Sequence, residues 1–361
     1  MNRRIDNLRN KMNVLALGVL SFGMVASSGS AWAGSWEALP KKAPVPADNP
    51  GTVAQVELGR KLYFDPRLSL DGTVSCNSCH NVMSGGDDNR ATSAGIRGQN
   101  GGRSAPTVWN SAFLSVQFWD GRANTLEDQA KGPITNPIEM GMPSHDAAIA
   151  RLREIPGYIT EFEKAYGGKG AEAVTIDHVA KAIAAYERTL ITPNTPYDRY
   201  VRGEKKALSD QQVRGMKLVE TTGCLSCHMG ANFSGPPLPI GTGFFQKFPV
   251  HPDSVIEKKY KFTKDLGRAE VTKKESDENF YRVPTWRNVS LTAPYFHNGA
   301  VATLDEAVRV MAKLQLNKEL TDAEVADIVA FLNGLSGGFP EQKMPRLPES
   351  PNRSLVVSTK N

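Results

Sequence analysis

Cysteine is scarce in this chain: four residues in 361, at positions 76, 79, 224 and 227, in two close pairs with none left over. After the first 26 residues no long apolar run occurs, so no membrane span is expected in the mature chain. Charge of one sign is also lacking. The formal +5 falls to about +2 when the four basic residues and one acid of the first 33 positions are set aside, which argues against nucleic acid as the main partner. No run of alternating apolar and polar residues stands out as a strand, and no βαβ pattern flanks either cysteine pair.

What is present begins with an export signal. Arg3, Arg4, Arg9 and Lys11 precede the apolar stretch Val14 to Ala26, and Ala31-Trp32-Ala33 is a small-x-small cleavage site. Residues 1–33 are therefore expected to be removed, and the mature protein is expected in the periplasm.

Each cysteine pair is followed by histidine: Cys76-Asn77-Ser78-Cys79-His80 and Cys224-Leu225-Ser226-Cys227-His228. Two vicinal disulfides would not require a histidine after each pair. A four-cysteine zinc site would have to join pairs 148 positions apart, far from ribbon spacing. A thioredoxin-like pair would want the missing βαβ frame. Cys-x-x-Cys-His is the spacing of covalent c-type haem attachment, with two thioether links and a proximal histidine. Two such haems are expected.

Helix signals dominate the rest. Ile176, Val179, Ile183, Tyr186 and Leu190 share one face, and capping boxes open at Ser209, Thr303 and Thr321. Helices at Val56 to Phe64 and Gln212 to Glu220 lead into the two motifs. The Lys-rich stretch Glu257 to Lys274 reads as a solvated loop. The expected class is all-α, two haem domains related by internal duplication with long irregular loops. Pro106-Thr107 and Pro284-Thr285 start two segments that keep one register through Gly121 and Gly299 to Thr125 and Thr303.

The halves differ where chemistry is at stake. Met311 offers a thioether as sixth ligand to the second haem, and the matching position in the first half is Pro133, which cannot ligate. The first haem is then left with an open face near Gln129 and Glu139. Met140 and Met142 remain alternatives for closing it, and His297, the repeat partner of Trp119, remains an alternative for the second haem. His145, His178 and His251 have no companion motif and read as surface or structural.

From about Val56 to Pro340 the sequence resembles the bacterial di-haem cytochrome c peroxidases. Gln117-Phe118-Trp119-Asp120-Gly121-Arg122 resembles the segment bearing the tryptophan between the haems. Leu126-Glu127-Asp128-Gln129-Ala130 and Asn136-Pro137-Ile138-Glu139-Met140 resemble the segments that supply the peroxide-site Gln and Glu. Ala293-Pro294-Tyr295-Phe296-His297-Asn298-Gly299, with Met311 beyond it, resembles the methionine helix of the electron-transfer haem. The resemblance implies two cytochrome c-like domains, a peroxidatic one at 34–200 and an electron-transfer one at 201–340, with a tail at 341–361. It implies reduction of hydrogen peroxide with electrons from a small cytochrome c or cupredoxin, Glu139 as base and then acid, Gln129 as the peroxide-orienting group and Trp119 on the electron path. It also implies a homodimer and a Ca²⁺ site between the domains. Ser104 stands where the family often has a calcium-binding Asn, while Thr292 and Pro294 still offer carbonyls. Many family members cap the resting peroxidatic iron with a histidine from the loop after the first motif. This chain has none between His80 and His145, and Ile96 occupies the place. A MauG-like oxidase of a protein substrate is the alternative, disfavoured because such proteins carry Tyr where Met311 stands. A non-catalytic di-haem carrier or redox sensor is the third reading.

Overall fold

Threonine and serine hydroxyls open most of the long helices. In the computed structural model, which describes residues 36–356, twelve α-helices follow one another as α1 (Val53–Phe64), α2 (Cys76–Cys79), α3 (Leu126–Thr135), α4 (His145–Arg153), α5 (Pro156–Tyr166), α6 (Ile176–Glu187), α7 (Pro196–Val201), α8 (Asp210–Thr221), α9 (Ser254–Tyr260), α10 (Ala269–Thr272), α11 (Leu304–Leu316) and α12 (Asp322–Asn333). The only sheet among the described residues pairs β1 (Phe245–Lys247) with β2 (Phe280–Arg282), antiparallel, Phe245 opposite Arg282. The helical class expected from sequence holds. The proposed signal segment 1–33 and residues 357–361 of the expected tail lie outside the described residues.

Reciprocal capping boxes form at Ser209/Gln212 and Thr321/Glu324. The third expected box is only half made. Thr303 accepts from the Glu306 N–H, but the Glu306 carboxylate is drawn to the Tyr260 hydroxyl and Lys259 on α9 instead of returning to the cap. The Lys-rich stretch is not a plain solvated loop either. It carries α10 and parts of α9, Phe262 is fully buried, and Asp265 forms a bidentate pair with Arg103.

Two helix crossings organise the core, and both depend on a glycine. A Cβ on Gly59 of α1 would lie 1.8 Å from the Ala182 carbonyl oxygen of α6, and one on Gly215 of α8 would lie 1.8 Å from the Asp327 carbonyl oxygen of α12. Only a residue without a side chain lets these backbones approach so closely. Around α1–α6 gathers an apolar cluster from Leu58 to Leu190; around α8–α12 gathers another that includes Tyr197, Phe233 and Phe331. A third cluster joins Phe248, Phe262 and Tyr295 to Val310 and Leu314 of α11.

The same local geometry recurs at an offset of 178 residues. Asn110 (φ 64°) and Asn288 (φ 62°) are both left-handed and both precede a 3₁₀ turn. Their side-chain amides both donate to the hydroxyl of buried Thr192, at 2.9 and 3.2 Å. Bridges Gln117–Ala123 and Tyr295–Val301 close equivalent turns, and Thr125 and Thr303 cap the helices that follow.

The chain ends cross over. Trp36 packs on Tyr197, Phe233 and Phe331, and the Leu39 N–H donates to Asp198 Oδ1, so the N-terminal segment covers the later core. Beyond α12, Phe339 packs on Trp109, Arg60 and Arg67 donate to the Lys343 and Pro348 carbonyls, and Tyr186 Oη donates to Gln342, so the C-terminal segment covers the earlier one.

Candidate functional site

Each cysteine motif forms a tight helical turn that brings its histidine round beneath it. The His80 N–H donates to the Cys76 carbonyl (2.9 Å), and the His228 N–H to the Cys224 carbonyl (3.1 Å). Both imidazoles are then fixed from the far side, Nδ1 of His80 on the Pro106 carbonyl (2.9 Å) and Nδ1 of His228 on the Phe233 carbonyl (3.1 Å). An imidazole whose Nδ1–H is given to a carbonyl presents Nε2 as a lone-pair donor. Burial keeps both rings neutral: it lowers the proton affinity of His80 and brings His228 down to about 4, with carbonyl bonds opposing the trend. Trp286 stacks on His228 with ring centres 4.4 Å apart.

None of the four cysteines forms a disulfide, and among the described residues no group of three or more His, Cys, Asp and Glu side chains is placed to hold a metal ion. Burial pushes the Cys79 thiol up to about 11 and Cys76 higher still. Two thiols on one helical turn with a neutral imidazole presenting Nε2 match what a covalently attached haem needs. Cys76, Cys79 and His80 would hold one, and Cys224, Cys227 and His228 the other.

A large, mainly apolar cavity, ≈ 1730 Å³ including its open mouth, takes in the second motif. Cys224, Cys227, His228 and Met311 of α11 all line it, so the predicted ligand pair faces one space. His297 lines it as well, but its Nε2 is 3.1 Å from the Phe262 carbonyl and its ring stacks on Tyr281 at 4.3 Å. Ser104, Thr292 and Pro294 also border this cavity. Ser104 is already engaged, its N–H donating to the His297 carbonyl and its own carbonyl accepting from Trp119 Nε1.

Trp119 stands at the junction of the two motifs. Its ring meets His297 edge-on at 6.4 Å. Its Nε1–H donates to Ser104 (2.9 Å), two residues before Pro106, whose carbonyl holds His80. The turn that carries it is strained: Phe118 has φ 66°, and Phe296, before His297, has φ 70°. Bulky residues rarely adopt that region, and such strain gathers at functional sites. Four arginines clasp the turn. Arg103 and Arg122 pair with Asp120, Arg268 donates to the Asp120 carbonyl and Arg282 to the Phe118 carbonyl. Sequence reasoning missed Arg103 and Arg282, whose partners stand 162 and 164 positions away.

Cys76 of the first motif packs against the core cluster that also holds Ala130 and Ile134 of α3 and Met140 of the turn after it. Gln129 lies on α3, and Pro133 stands inside that helix without an N–H to return to the Gln129 carbonyl. Glu139 follows in a turn closed by Asn136, whose side-chain amide donates to Glu139 Oε1 at 3.0 Å. Burial raises the proton affinity of Glu139, and the charge of Arg122 works against that rise. Ile96 is buried over this turn, its N–H on the Glu139 carbonyl (2.8 Å) and its side chain against Gly141. Met140 and Met142 are embedded in the apolar core. His145 and His178 bond to the Lys131 and Ala173 carbonyls.

Comparison with known proteins gives the family. Residues 53–206 match the family model for di-haem cytochrome c peroxidase. Cytochrome c551 peroxidase of Nitrosomonas europaea is 44% identical over 311 residues, covering 86% of this chain and 88% of its own. That of Pseudomonas aeruginosa is 46% identical over 296 residues, 82% of each chain. Among solved structures, a MauG-like protein associated with microbial copper homeostasis superposes with a TM-score of 0.72 at 28% identity, covering 89% of this chain and 97% of its own.

Proposed function

Because the chain belongs to the di-haem cytochrome c peroxidase family, we propose that it reduces hydrogen peroxide to water in the periplasm, drawing electrons from a small c-type cytochrome or a cupredoxin. The protein is an enzyme, a cytochrome c peroxidase. The inequality of its two halves carries the mechanistic reading. The same motif and the same capped helix occur twice, but Met311 faces the cavity of His228, while its counterpart is Pro133 and a half-buried Glu139 follows that helix.

Bound at the two motifs, the haems would supply the storage and delivery of electrons for the balance H₂O₂ + 2e⁻ + 2H⁺ → 2H₂O. The residues of the chain handle the rest. Glu139 takes the proton from one peroxide oxygen on its carboxylate and returns it to the departing oxygen, as base and then acid. Its burial suits both halves of that task, since a raised proton affinity narrows the gap to working pH. The Gln129 amide orients peroxide by hydrogen bonding and stabilises developing charge. Trp119, hydrogen-bonded to the segment that fixes His80 while lining the cavity of His228, bridges the two sites. Met311, rather than His297, would hold the second haem together with His228, since the Nε2 of His297 is committed to a carbonyl.

The geometry recurring at 178 residues supports a duplication into two cytochrome c-like domains, 34–200 and 201–340, followed by the tail 341–361. A Ca²⁺ site between the domains is what the family implies, and Thr292 and Pro294 would offer it carbonyls, with water completing the set. The signal at 1–33 supports export. No helix of the described residues is long and apolar enough to cross a membrane. A homodimer is the assembly implied by the family.

The likeness to a MauG-like structure keeps a second reading in view, an oxidase acting on a protein substrate. Steady-state turnover separates the two. Protein matured with two haems should consume peroxide at the expense of a reduced small cytochrome. Full haem loading without such turnover would favour the oxidase or a carrier.

A further inference from the structure

Arg282 is the buried charge that the mechanism does not use. It sits on β2 with 4% of its surface exposed and makes no ion pair among the described residues. Arg287, equally buried, is answered by Asp198 with two contacts of 3.0 Å. Arg282 has only carbonyls, Phe118 for Nε and Val283 for Nη1, both at 3.1 Å, and its Nη2 donates to nothing among the described residues. A guanidinium carries five N–H donors, and a buried charge is costly unless it is paired. Asp120, the carboxylate of the turn to which Arg282 donates, is already held by Arg103 and Arg122. Burial with so little compensation lowers the proton affinity of Arg282 to about 10. Besides the second motif itself, the titratable groups on the cavity wall are Lys247, Tyr281, Tyr295 and His297, none of them an anion at neutral pH. Arg282 borders the cavity of Cys224, Cys227, His228 and Met311.

We propose that Arg282 is the counter-ion of a propionate carboxylate of the second haem, and that it holds this carboxylate ionised inside the protein. Planar, bidentate pairing with carboxylate is what a guanidinium does best. The assignment rests on the di-haem reading above. Because the main chain of Arg282 donates to Trp119 (2.8 Å) and its side chain to Phe118, the same residue would tie the edge of the second haem to the strained turn.

The test is redox potentiometry of wild-type, Arg282→Met and Arg282→Lys proteins after mass spectrometry of their haem content. Wild-type protein lacking two haems would sink the functional reading and this proposal with it. With the haems present, Arg282→Met should lower the midpoint of the second haem and make it pH-dependent across the neutral range, as an unanswered carboxylate takes up a proton on reduction. Arg282→Lys should keep the pH-independent midpoint of the wild type. A Met variant with an unaltered second-haem midpoint and pH profile overturns the proposal. A shift confined to the first haem overturns it too, and assigns the carboxylate to that haem. Should the Met variant fail to load its second haem, the wild-type protein decides by resonance Raman. Propionate bending modes of the second haem that stay constant over the neutral range support the pairing, and modes that titrate there refute it.

Discussion

Glu139 is expected to dominate catalysis without holding anything together. Its carboxylate accepts one hydrogen bond, from Asn136, and makes no ion pair among the described residues. Glu139→Ala should leave both haem spectra near wild type and lower peroxide turnover by roughly 10²–10⁴-fold, the usual loss for an acid–base group. The sign of its pH dependence follows from burial. A base must be ionised to accept the proton, and its folded proton affinity is raised above the ordinary 4.5. Activity should therefore fall, as pH is lowered, at a pH above that of an exposed glutamate, and Arg122→Met should move this acid limb higher still. Met311→Ala should abolish the ferric thioether-to-iron charge-transfer band and lower the second midpoint potential, because a thioether favours ferrous iron. Persistence of the band would assign the ligand to another methionine. The two cysteine motifs were legible because their chemistry is local, Cys-x-x-Cys-His being one helical turn, whereas Glu139 alone reads as a surface acid and is singled out mainly by the family resemblance. Arg103 and Arg282 were not legible, since a guanidinium reads as a surface charge until its distant partners are in place.

Among the elements, the two glycine-dependent crossings make the most discriminating pair of experiments. Gly59→Ala and Gly215→Ala each force a methyl into a carbonyl oxygen of the facing helix. Overpacking of this sort costs about 1–3 kcal/mol. Calorimetry should show lower unfolding temperatures for both, with optical changes centred on the first haem for Gly59→Ala and on the second for Gly215→Ala. Equal effects on both haems would refute the pairing of each crossing with one site. The segment bearing Ile96 has its own consequence. It is pinned to the Glu139 turn by a backbone hydrogen bond and carries no imidazole. The oxidised protein at rest should therefore show a high-spin ferric signal by electron paramagnetic resonance that changes on adding peroxide, without prior reduction of the second haem. Two low-spin haems inert to peroxide would overturn this. The helices were legible from caps and periodicity. The half-made cap at Thr303 was not, because nothing near Glu306 in sequence announces Tyr260 46 positions earlier.

At the scale of the whole molecule, the repeat register was readable because the turns after each motif need the same left-handed residues in the same order. The crossing of the chain ends was not readable, since Trp36 and Phe339 look like ordinary apolar residues beside loops. That crossing bears on how such a protein changes over generations. The N-terminal segment completes the later core through a contact spanning 159 positions, and the C-terminal segment completes the earlier one through contacts spanning 281 and 283. A recombination joint near residue 200 would give each half the wrong strap: a donor's C-terminal segment would lie on a host's first core, and the host's Trp36 on the donor's second. Unlike beads on a string, these halves are inherited together, and an exchange succeeds only when both ends of the gene travel with the core they close.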